Sequence, residues 1–367
     1  VNNQLNEGVW FSQPTAKKTF SAALEMAAEV AEDMSWDNYL SDAVVEQAEA
    51  LKAATAELMN SVALCYPMGT AKVLADQIGG LAQTEAYLNV MTYLASDELD
   101  PLDVDLAVQA LQGECVNAMT PEVLSRATAD EPFDMTTFVV NPNIYQDATD
   151  DEGNPTDVRI NGWTLETNAD RAPRTGATSG DTWMYTTSHS SNDAHNISSA
   201  TDYRQVIGTQ PEVSDAGKYG LPTGAYRVEA ATFLNHEWDK MRLYAQTNSV
   251  EVSTVTGSAG QDSLVYAYTE IEYADSAFNG KQDVWDAAQA TLGTTTVVPE
   301  IYVENGAVTI GIRGNGRVGG NDSWFLADNF RLYYIGTERG SNIGGTMMDR
   351  NANSSELVDV YDITGKL

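Results

Sequence analysis

Residues 323–335 read Ser-Trp-Phe-Leu-Ala-Asp-Asn-Phe-Arg-Leu-Tyr-Tyr-Ile, a run of aromatic and apolar residues. Such residues fit a pleated and half-buried strand better than a helix. Just before it, residues 307–313 read Ala-Val-Thr-Ile-Gly-Ile-Arg, and the Gly-rich residues 314–320 separate the two runs. Two strand patterns with turn residues between them indicate antiparallel β structure at this end of the chain.

The same pattern extends back to Asp130-Glu131-Pro132, after which Thr, Val, Tyr, Asn and Gly dominate. Asn305-Gly306 is a hairpin signal between two strand patterns. A short helical pattern covers residues 281–290. Many short strands with Gly-rich turns predict a two-sheet antiparallel sandwich over residues 131–336. The other predicted strands are 137–141, 159–167, 182–187, 203–208, 225–235, 241–246, 250–256, 264–272 and 300–304.

Residues 15–127 carry a different pattern, rich in Ala, Glu, Leu and Met with apolar residues at helical spacing. Asp100-Pro101 predicts a helix start, because Asp caps a helix and Pro suits its first turn. We predict a bundle or spacer of four to six helices. The predicted breaks are near Ser35, 67–69, 79–80, 96–101 and 120–121. The fold class is therefore multidomain α plus all-β, a helical bundle followed by an antiparallel sandwich.

Two end segments complete the predicted organisation. Residues 1–14 are an extended lead-in, and residues 337–356 form a polar linker. Residues 358–367 resemble one strand running into a turn, and a lone strand is not stable. We therefore expect the chain to be a shortened or processed form of a longer protein. No charged-then-apolar signal peptide stands at Val1, so we expect any such segment to have been cut off or left out.

The charge excludes several functions. The chain has 367 residues, with 53 acidic against 20 basic side chains and a net charge of −33. Such a surface repels nucleic acid and anionic lipid. No apolar run approaches the roughly 18–20 residues of a membrane span. Cys65 and Cys115 are too few for a disulfide scaffold, and either a single disulfide or two buried thiols fits them.

Five motifs in order resemble the galactose-binding-like jelly-roll modules of secreted multidomain bacterial proteins, many of which bind carbohydrate. They are Phe138–Pro142, Asn161–Thr164, Leu221–Val228, Val308–Ile312 and Ser323–Leu332. The resemblance implies that the sandwich is a jelly roll and that its partner is a glycan. Residues 360–367, Val-Tyr-Asp-Ile-Thr-Gly-Lys-Leu, resemble the start of the C-terminal sorting domain of type IX secretion. Both resemblances imply a secreted or cell-surface location.

Sugar recognition needs aromatic rings that stack on the ring C–H groups and polar side chains that bond the hydroxyls. Trp238 lies in a polar loop beside Asn235 and His236, and Trp183 with Tyr185 precedes a long polar stretch. Arg317 lies in the Gly-rich loop 313–322. The candidate ligand-binding residues are Trp238, Trp183, Tyr185, Asn235, His236 and Arg317. The alternative for the aromatic candidates is that they only cover a loop. The alternative for the Gly-rich loop with Arg317 is that it only connects two strands. Trp163, Trp324 and Asp328 are expected to pack inside the sandwich.

The segment 147–157 is the densest cluster of oxygen ligands, and calcium takes six to eight of them. Asp147, Asp150, Asp151 and Asp157 are the candidate ligands of a structural calcium. The spacing does not fit an EF-hand, so an acidic hairpin tip without an ion is the alternative.

No pattern of a catalytic site is present in the sequence. His236-Glu237 lacks the second His of a metalloprotease helix, and no Gly-x-Ser-x-Gly motif occurs. The leading hypothesis is a non-catalytic protein with a carbohydrate-binding-like module. The alternatives are a structural or adhesive module without a sugar site, and an accessory part of a glycoside hydrolase, which needs two carboxylates in one cleft.

Overall fold

The structure is a computed structural model that describes eleven segments of the chain. These are residues 11–32, 42–144, 162–166, 174–178, 181–187, 202–208, 219–234, 241–247, 266–272, 295–314 and 324–338. The predicted strand 250–256 and the predicted helix 281–290 lie outside the described residues.

Five helices are described in the first third of the chain, as the sequence predicts. They are α1 (Pro14–Glu32), α2 (Asp42–Ile78), α3 (Glu85–Leu94), α4 (Pro101–Ala118) and α5 (Pro121–Leu124). The carboxylate of Asp100 accepts from Leu102 N at the start of α4, and Thr120 caps α5 in the same way. Gly79 and Gly80 follow α2 with φ of 79°. Because glycine adopts positive φ at low cost, it ends helices readily.

The predicted break at 67–69 is wrong, because α2 continues through Pro67 and Gly69. Proline normally disrupts a helix interior by removing one N–H donor. The donor that Pro67 lacks would serve the carbonyl of Ala63, four residues earlier. In the following turn the Thr70 hydroxyl donates to the carbonyls of Tyr66 and Pro67 at 3.2 and 3.0 Å. A Cβ at Gly69 would lie 2.0 Å from the ring of Phe11. Gly69 therefore provides space for a packing contact and does not interrupt the helix.

Eleven strands are described, and they form two antiparallel sheets. The strands are β1 (Phe133–Asp134), β2 (Thr164–Glu166), β3 (Arg174–Thr178), β4 (Asp181–Thr187), β5 (Asp202–Gly208), β6 (Gly224–Leu234), β7 (Met241–Thr247), β8 (Tyr266–Glu270), β9 (Thr295–Val303), β10 (Ala307–Gly314) and β11 (Trp324–Gly336). The six-stranded sheet has the order β3-β4-β11-β6-β9 with β1 on β11, and the five-stranded sheet has the order β2-β5-β10-β7-β8.

The last eight strands, β4 to β11, have the connectivity of a jelly roll. One sheet pairs β4-β11-β6-β9 and the other pairs β5-β10-β7-β8, so the first and last of the eight are neighbours. This order gives the double Greek key of that architecture. The predicted fold class, helices followed by an antiparallel sandwich, is confirmed.

Two local predictions in the sandwich are wrong. The turn at Asn305-Gly306 exists, with Gly306 at φ 75°. However, β9 before it pairs with β6 and β10 after it pairs with β5 and β7, so the turn connects the two sheets and closes no hairpin. Residues 137–141 are not a strand, because Thr136–Phe138 is a 3₁₀ helix. The sequence patterns also do not predict β1, β3 or the first half of β9.

The helices and the sandwich share one apolar core. A single cluster of buried residues includes Leu74 of α2, Leu111 of α4, Ile301 of β9 and Leu332 of β11. At the junction, Gln77 of α2 accepts from Asp134 N at 2.7 Å and donates to Pro132 O at 3.3 Å. Both bonds connect the end of α2 to the segment that opens the sandwich, so the two parts pack as one body at this point.

The buried aromatic residues support the predicted interior of the sandwich. Trp163 is buried, and its ring centroid lies 4.4 Å from that of Phe330. Asp328 is also buried, and its carboxylate accepts from Asn329 N at 2.6 Å. Asn329 has φ 56°, and the strand register shifts between Asp328 and Arg331. Asp328 therefore stabilises a β-bulge, as its predicted structural role requires. The side chain of Trp324 lies outside the described residues.

Candidate functional site

The sequence-predicted site residues lie almost entirely outside the described residues. This holds for Trp238, Asn235, His236 and Arg317, and for the calcium candidates Asp147, Asp150, Asp151 and Asp157. Trp183 and Tyr185 occupy alternate positions of β4, opposite Gly176 and Arg174 of β3. Their side chains also lie outside the described part of the chain. The ligand-binding roles of these residues therefore stay predictions.

The described residues contain another candidate site, the outer face of the five-stranded sheet. Residues alternate between the two faces of a strand, so every second residue of β5, β7, β8 and β10 faces away from the core. We call this surface the outer polar face. The described side chains on it are Thr164, Asp202, Arg204, Val206, Tyr266, Tyr268, Glu270, Arg242, Tyr244, Gln246, Thr309 and Arg313.

The strand register aligns these residues in three rows across the sheet. The first row runs Asp202, Arg313, Arg242, Glu270, and all four of these residues are charged. The second runs Thr164, Arg204, Gly311, Tyr244, Tyr268. The third runs Val206, Thr309, Gln246, Tyr266. Three arginines on one sheet face are notable in a chain with only 20 basic residues against 53 acidic ones.

Gly311 in the middle of the face makes room for the ring of Tyr244. A Cβ at Gly311 would lie 2.8 Å from Cε1 of Tyr244 and 2.3 Å from the carbonyl oxygen of Tyr203. Any larger residue there would push the Tyr244 ring away or distort β5. The glycine therefore determines where the central tyrosine lies.

Tyr244 and Asp202 form the buried centre of the face. The Tyr244 hydroxyl donates to Asp202 Oδ1 at 2.8 Å, and Nη1 of Arg204 lies 3.6 Å from Asp202 Oδ2. Tyr244 is 0% exposed and Asp202 is 4% exposed. Burial, and next the nearby Asp202 carboxylate, raise the pKa of Tyr244 well above its usual value. Tyr244 thus stays a neutral hydrogen-bond donor at physiological pH.

Tyr268, Arg242 and Glu270 form a rim that is partly open to solvent. The guanidinium carbon of Arg242 lies 3.7 Å from the ring centroid of Tyr268, and Arg242 Nε lies 2.7 Å from Glu270 Oε1. The Glu270 side chain is 41% exposed, and Tyr268 is half-buried. The Glu270 carboxylate thus holds the guanidinium of Arg242 over the Tyr268 ring.

The three tyrosines are neighbours in this arrangement. The ring centroid of Tyr266 lies 5.8 Å from that of Tyr244 and 5.6 Å from that of Tyr268. Burial raises the pKa of Tyr266, and the nearby Arg313 and Arg242 oppose that rise. The Tyr266 phenol therefore stays neutral at physiological pH beside the positive charges of Arg313 and Arg242.

Other features of the described residues do not form a second site. Within those segments, no three His, Cys, Asp or Glu residues lie together as metal ligands would. A cleft of about 610 Å³ at the helix–sandwich junction includes Arg126 and Phe133 in its walls. Arg126 donates to the carbonyls of Ile78 and Gln77 at 2.9 and 2.7 Å. This arginine stabilises the end of α2, so the cleft is a structural junction.

The sequence patterns do not predict the outer polar face, although part of its signal is local. Arg242, Tyr244 and Gln246 alternate with Met241, Leu243 and Ala245 in a strand that the sequence predicts correctly. The alternation places the three polar residues on one face. The alternation does not give the order of the strands. That order brings Arg242 beside Glu270 and Tyr244 beside Asp202.

The fold and the outer polar face together define a jelly-roll protein with a polar, tyrosine-bearing sheet face. No family model and no curated protein matches the chain. One similar solved structure is the carbohydrate-binding module TmCBM61 in complex with β-1,4-galactotriose. Its TM-score is 0.30 at 14% identity, and the match covers 54% of this chain and 97% of the module.

Two further solved structures show weaker likeness. The enzymatically active domain of tailspike protein 4 of bacteriophage CBA120 has a TM-score of 0.27 at 14% identity, covering 48% of this chain and 20% of that one. The CBM22-1 and GH10 modules of xylanase 10B of Clostridium thermocellum, complexed with xylohexaose, have a TM-score of 0.25 at 11% identity, covering 55% of this chain and 30% of that one. At these TM-scores the likenesses carry no argument about what this chain binds.

Proposed function

We propose that this chain is a non-catalytic, secreted or cell-surface protein whose jelly roll binds a glycan. The observation that carries the proposal is the rim of the outer polar face, where the stacked pair of Arg242 and Tyr268 lies beside Glu270. Guanidinium N–H groups donate to sugar hydroxyl oxygens. Aromatic rings at the same place supply apolar contact for the sugar C–H face.

The predicted loop residues belong to the same proposal. Trp238, Trp183 and Tyr185 would supply stacking platforms, and Asn235, His236 and Arg317 would bond the hydroxyls. A single site of this kind binds weakly, so several copies or neighbouring modules would raise the affinity through avidity. Binding of this type makes and breaks no covalent bond.

One observation favours a second function, a structural or adhesive module without a sugar site. The centre of the outer polar face is buried and internally bonded through Tyr244 and Asp202. A ligand would then meet only the rim, and the polar network would serve stability. If the rim variants lose stability and the original chain binds no glycan, the second function is favoured.

A third function, an accessory part of a glycoside hydrolase, requires two carboxylates about 5–10 Å apart. Asp202 and Glu270 stand three strands apart in the charged row, which is about 14 Å between backbones at roughly 4.8 Å per strand. Each carboxylate is also engaged, Asp202 by Tyr244 and Glu270 by Arg242. We therefore propose no catalytic role for this pair. Product analysis after incubation with the glycans that bind tests this directly.

A structural calcium at the segment 147–157 remains part of the proposal. Addition of a chelator should lower the thermal unfolding temperature, and Asp150→Asn should abolish that response. An unchanged unfolding temperature with the chelator would remove calcium from the proposal.

The central experiment is glycan-array binding with the full chain and three variants. Tyr268→Ala and Trp238→Ala test the rim and the predicted loop. Tyr333→Ala is the matched control, because Arg227 lies 4.8 Å from the Tyr333 ring centroid and 2.8 Å from Glu229 on the other sheet. Loss of a glycan signal in Tyr268→Ala but not in Tyr333→Ala supports the rim. Loss only in Trp238→Ala moves the site to the loop, and no signal across plant, host and microbial glycans contradicts the proposal.

A further inference from the structure

The hairpin formed by α3 and α4 exposes large apolar side chains. Leu102 and Leu106 of α4 are 66% and 55% exposed, and Leu88 and Met91 of α3 are exposed as well. The spacings of four and three residues place each pair on one side of its helix. We call these four residues the outer apolar stripes. They are half of the large apolar residues that are exposed in the described segments.

Helix α4 is apolar on two opposite sides. Val104, Val108 and Leu111 are buried against the rest of the bundle. At 100° per residue, Leu102 and Leu106 lie opposite that buried side. An exposed surface helix normally has one apolar stripe facing the core and a polar opposite face. The second stripe therefore has no function in the described fold and is available for contact with another molecule.

The charge around the stripes is of one sign. Residues 85–118 contain seven acidic side chains and no Lys, Arg or His. The acids are Glu85, Asp97, Glu98, Asp100, Asp103, Asp105 and Glu114. Anionic lipid and nucleic acid are repelled by such a surface. An apolar stripe bordered by carboxylates is complementary to an amphipathic segment whose polar side is cationic.

We propose that the outer face of the α3–α4 hairpin is a docking site for a cationic amphipathic helix of a partner protein. The leucines supply the apolar contact, and Asp103 and Asp105 beside them attract the basic side chains. The proposal does not depend on glycan binding, because the hairpin and the outer polar face lie in different parts of the fold.

Binding of synthetic peptides to the full chain, followed by fluorescence anisotropy, tests the proposal. The probe is a helical peptide of about 18 residues with a Leu stripe and a Lys face, long enough to be marginally helical. A peptide with Ser in place of Leu keeps the charge and removes the apolar stripe. We expect the Leu/Lys peptide to bind at least about tenfold more tightly, since burial of even one Leu supplies that difference.

Variants of the protein identify the surface. Leu102→Ser with Leu106→Ser should weaken binding at least about tenfold, while Val45→Ser, a change of an exposed apolar residue on α2, should leave it unchanged. Asp103→Asn with Asp105→Asn should weaken binding and reduce its salt dependence. The proposal is overturned if the leucine variant binds within twofold of the original chain, or if the Ser/Lys peptide binds equally well. A monomer–dimer equilibrium that the leucine variant abolishes would assign the stripes to a second copy instead.

Discussion

The guanidinium carbon of Arg331 lies 5.4 Å from the ring centroid of Tyr66, and this contact joins the last strand of the sandwich to helix α2. Arg331 Nη1 also donates to Asn143 Oδ1 at 3.1 Å, and Arg331 bonds Asn329 in the adjacent bulge. Burial raises the pKa of Tyr66 to about 12, and the charge of Arg331 opposes this rise. The contact therefore couples two parts that the sequence pattern separates.

Arg331→Ala is expected to weaken this coupling. The variant loses the cation–π contact and the hydrogen bonds to Asn143, Asn329 and the Phe330 carbonyl. The cation–π contact and the Asn143 bond alone are worth about 1–3 kcal/mol of unfolding free energy. Hydrogen exchange should increase in α2 around Tyr66. Arg242→Ala is the control, because it removes a similar arginine–tyrosine contact on the outer polar face. Unchanged exchange in α2 of the Arg331 variant would contradict the prediction.

Tyr244→Phe is expected to cost more stability than Tyr226→Phe. Both tyrosines are fully buried, and their hydroxyls donate at 2.8 Å, Tyr244 to the Asp202 carboxylate and Tyr226 to the Pro222 carbonyl. Hydrogen bonds to charged groups contribute about 1.5–3 kcal/mol, and neutral ones about 0.5–1.5 kcal/mol. Urea unfolding of the two variants measures the difference. An equal or larger loss in Tyr226→Phe would show that the Asp202 bond is not the stronger one.

Asp97 is expected to hold the start of α1 in a pH-dependent way. Thr15 donates to its carboxylate from the backbone N at 2.8 Å and from the hydroxyl at 2.6 Å. These bonds favour the charged form and lower the pKa of Asp97 below its ordinary 3.8. Because the folded pKa is the lower one, the stabilisation is present above pH 3.8 and is lost as the pH falls through the folded value.

The amide chemical shift of Thr15 reports this loss. It should be constant above pH 5 and change with a midpoint below 3.8, the ordinary pKa of Asp97. Asp97→Asn should abolish the transition, whereas Asp105→Asn, on the exposed side of α4, should leave it unchanged. A midpoint above 3.8 would mean that the Thr15 bonds do not stabilise the carboxylate.

Cys65 and Cys115 are free and buried. Of the two alternatives, a single disulfide or two buried thiols, the structure therefore has the buried thiols. Burial raises the pKa of Cys65 to about 11 and that of Cys115 to about 12. The thiolate is the reactive form, so neither thiol should react with a disulfide reagent at pH 8 in the native state. Both should react after unfolding in guanidinium chloride.

A fast reaction of either thiol in the native protein would contradict the described packing.

The same raised pKa values predict a pH effect on stability. The protonated thiols favour the folded state, so this contribution is complete below the ordinary pKa of 9.0 and is lost as the pH rises towards 11. Cys65→Ala should reduce the loss of stability between pH 9 and 11.

Some of the fold could be predicted because its signals are local. Asp100-Pro101 and Thr120-Pro121 start helices through a cap and a fixed proline φ, which depend on neighbouring residues only. Alternation over 241–246 is likewise local, and it corresponds to β7. Pro67 shows the limit of such signals, because α2 continues through it and packs Met68 and Ala71 into the core.

The sequence by itself determined where most of the helices and several of the strands lie, the strong negative charge, and the alternation that separates polar from apolar faces. Only the tertiary structure decided that Asn305-Gly306 connects two sheets, and that Tyr244, Asp202, Arg242 and Tyr268 form one surface. The physical reason is the range of the interactions. Caps and turns act over a few residues, whereas strand order results from burying both sheets in one core, and any pair of strands with the same alternation satisfies the local rules equally well.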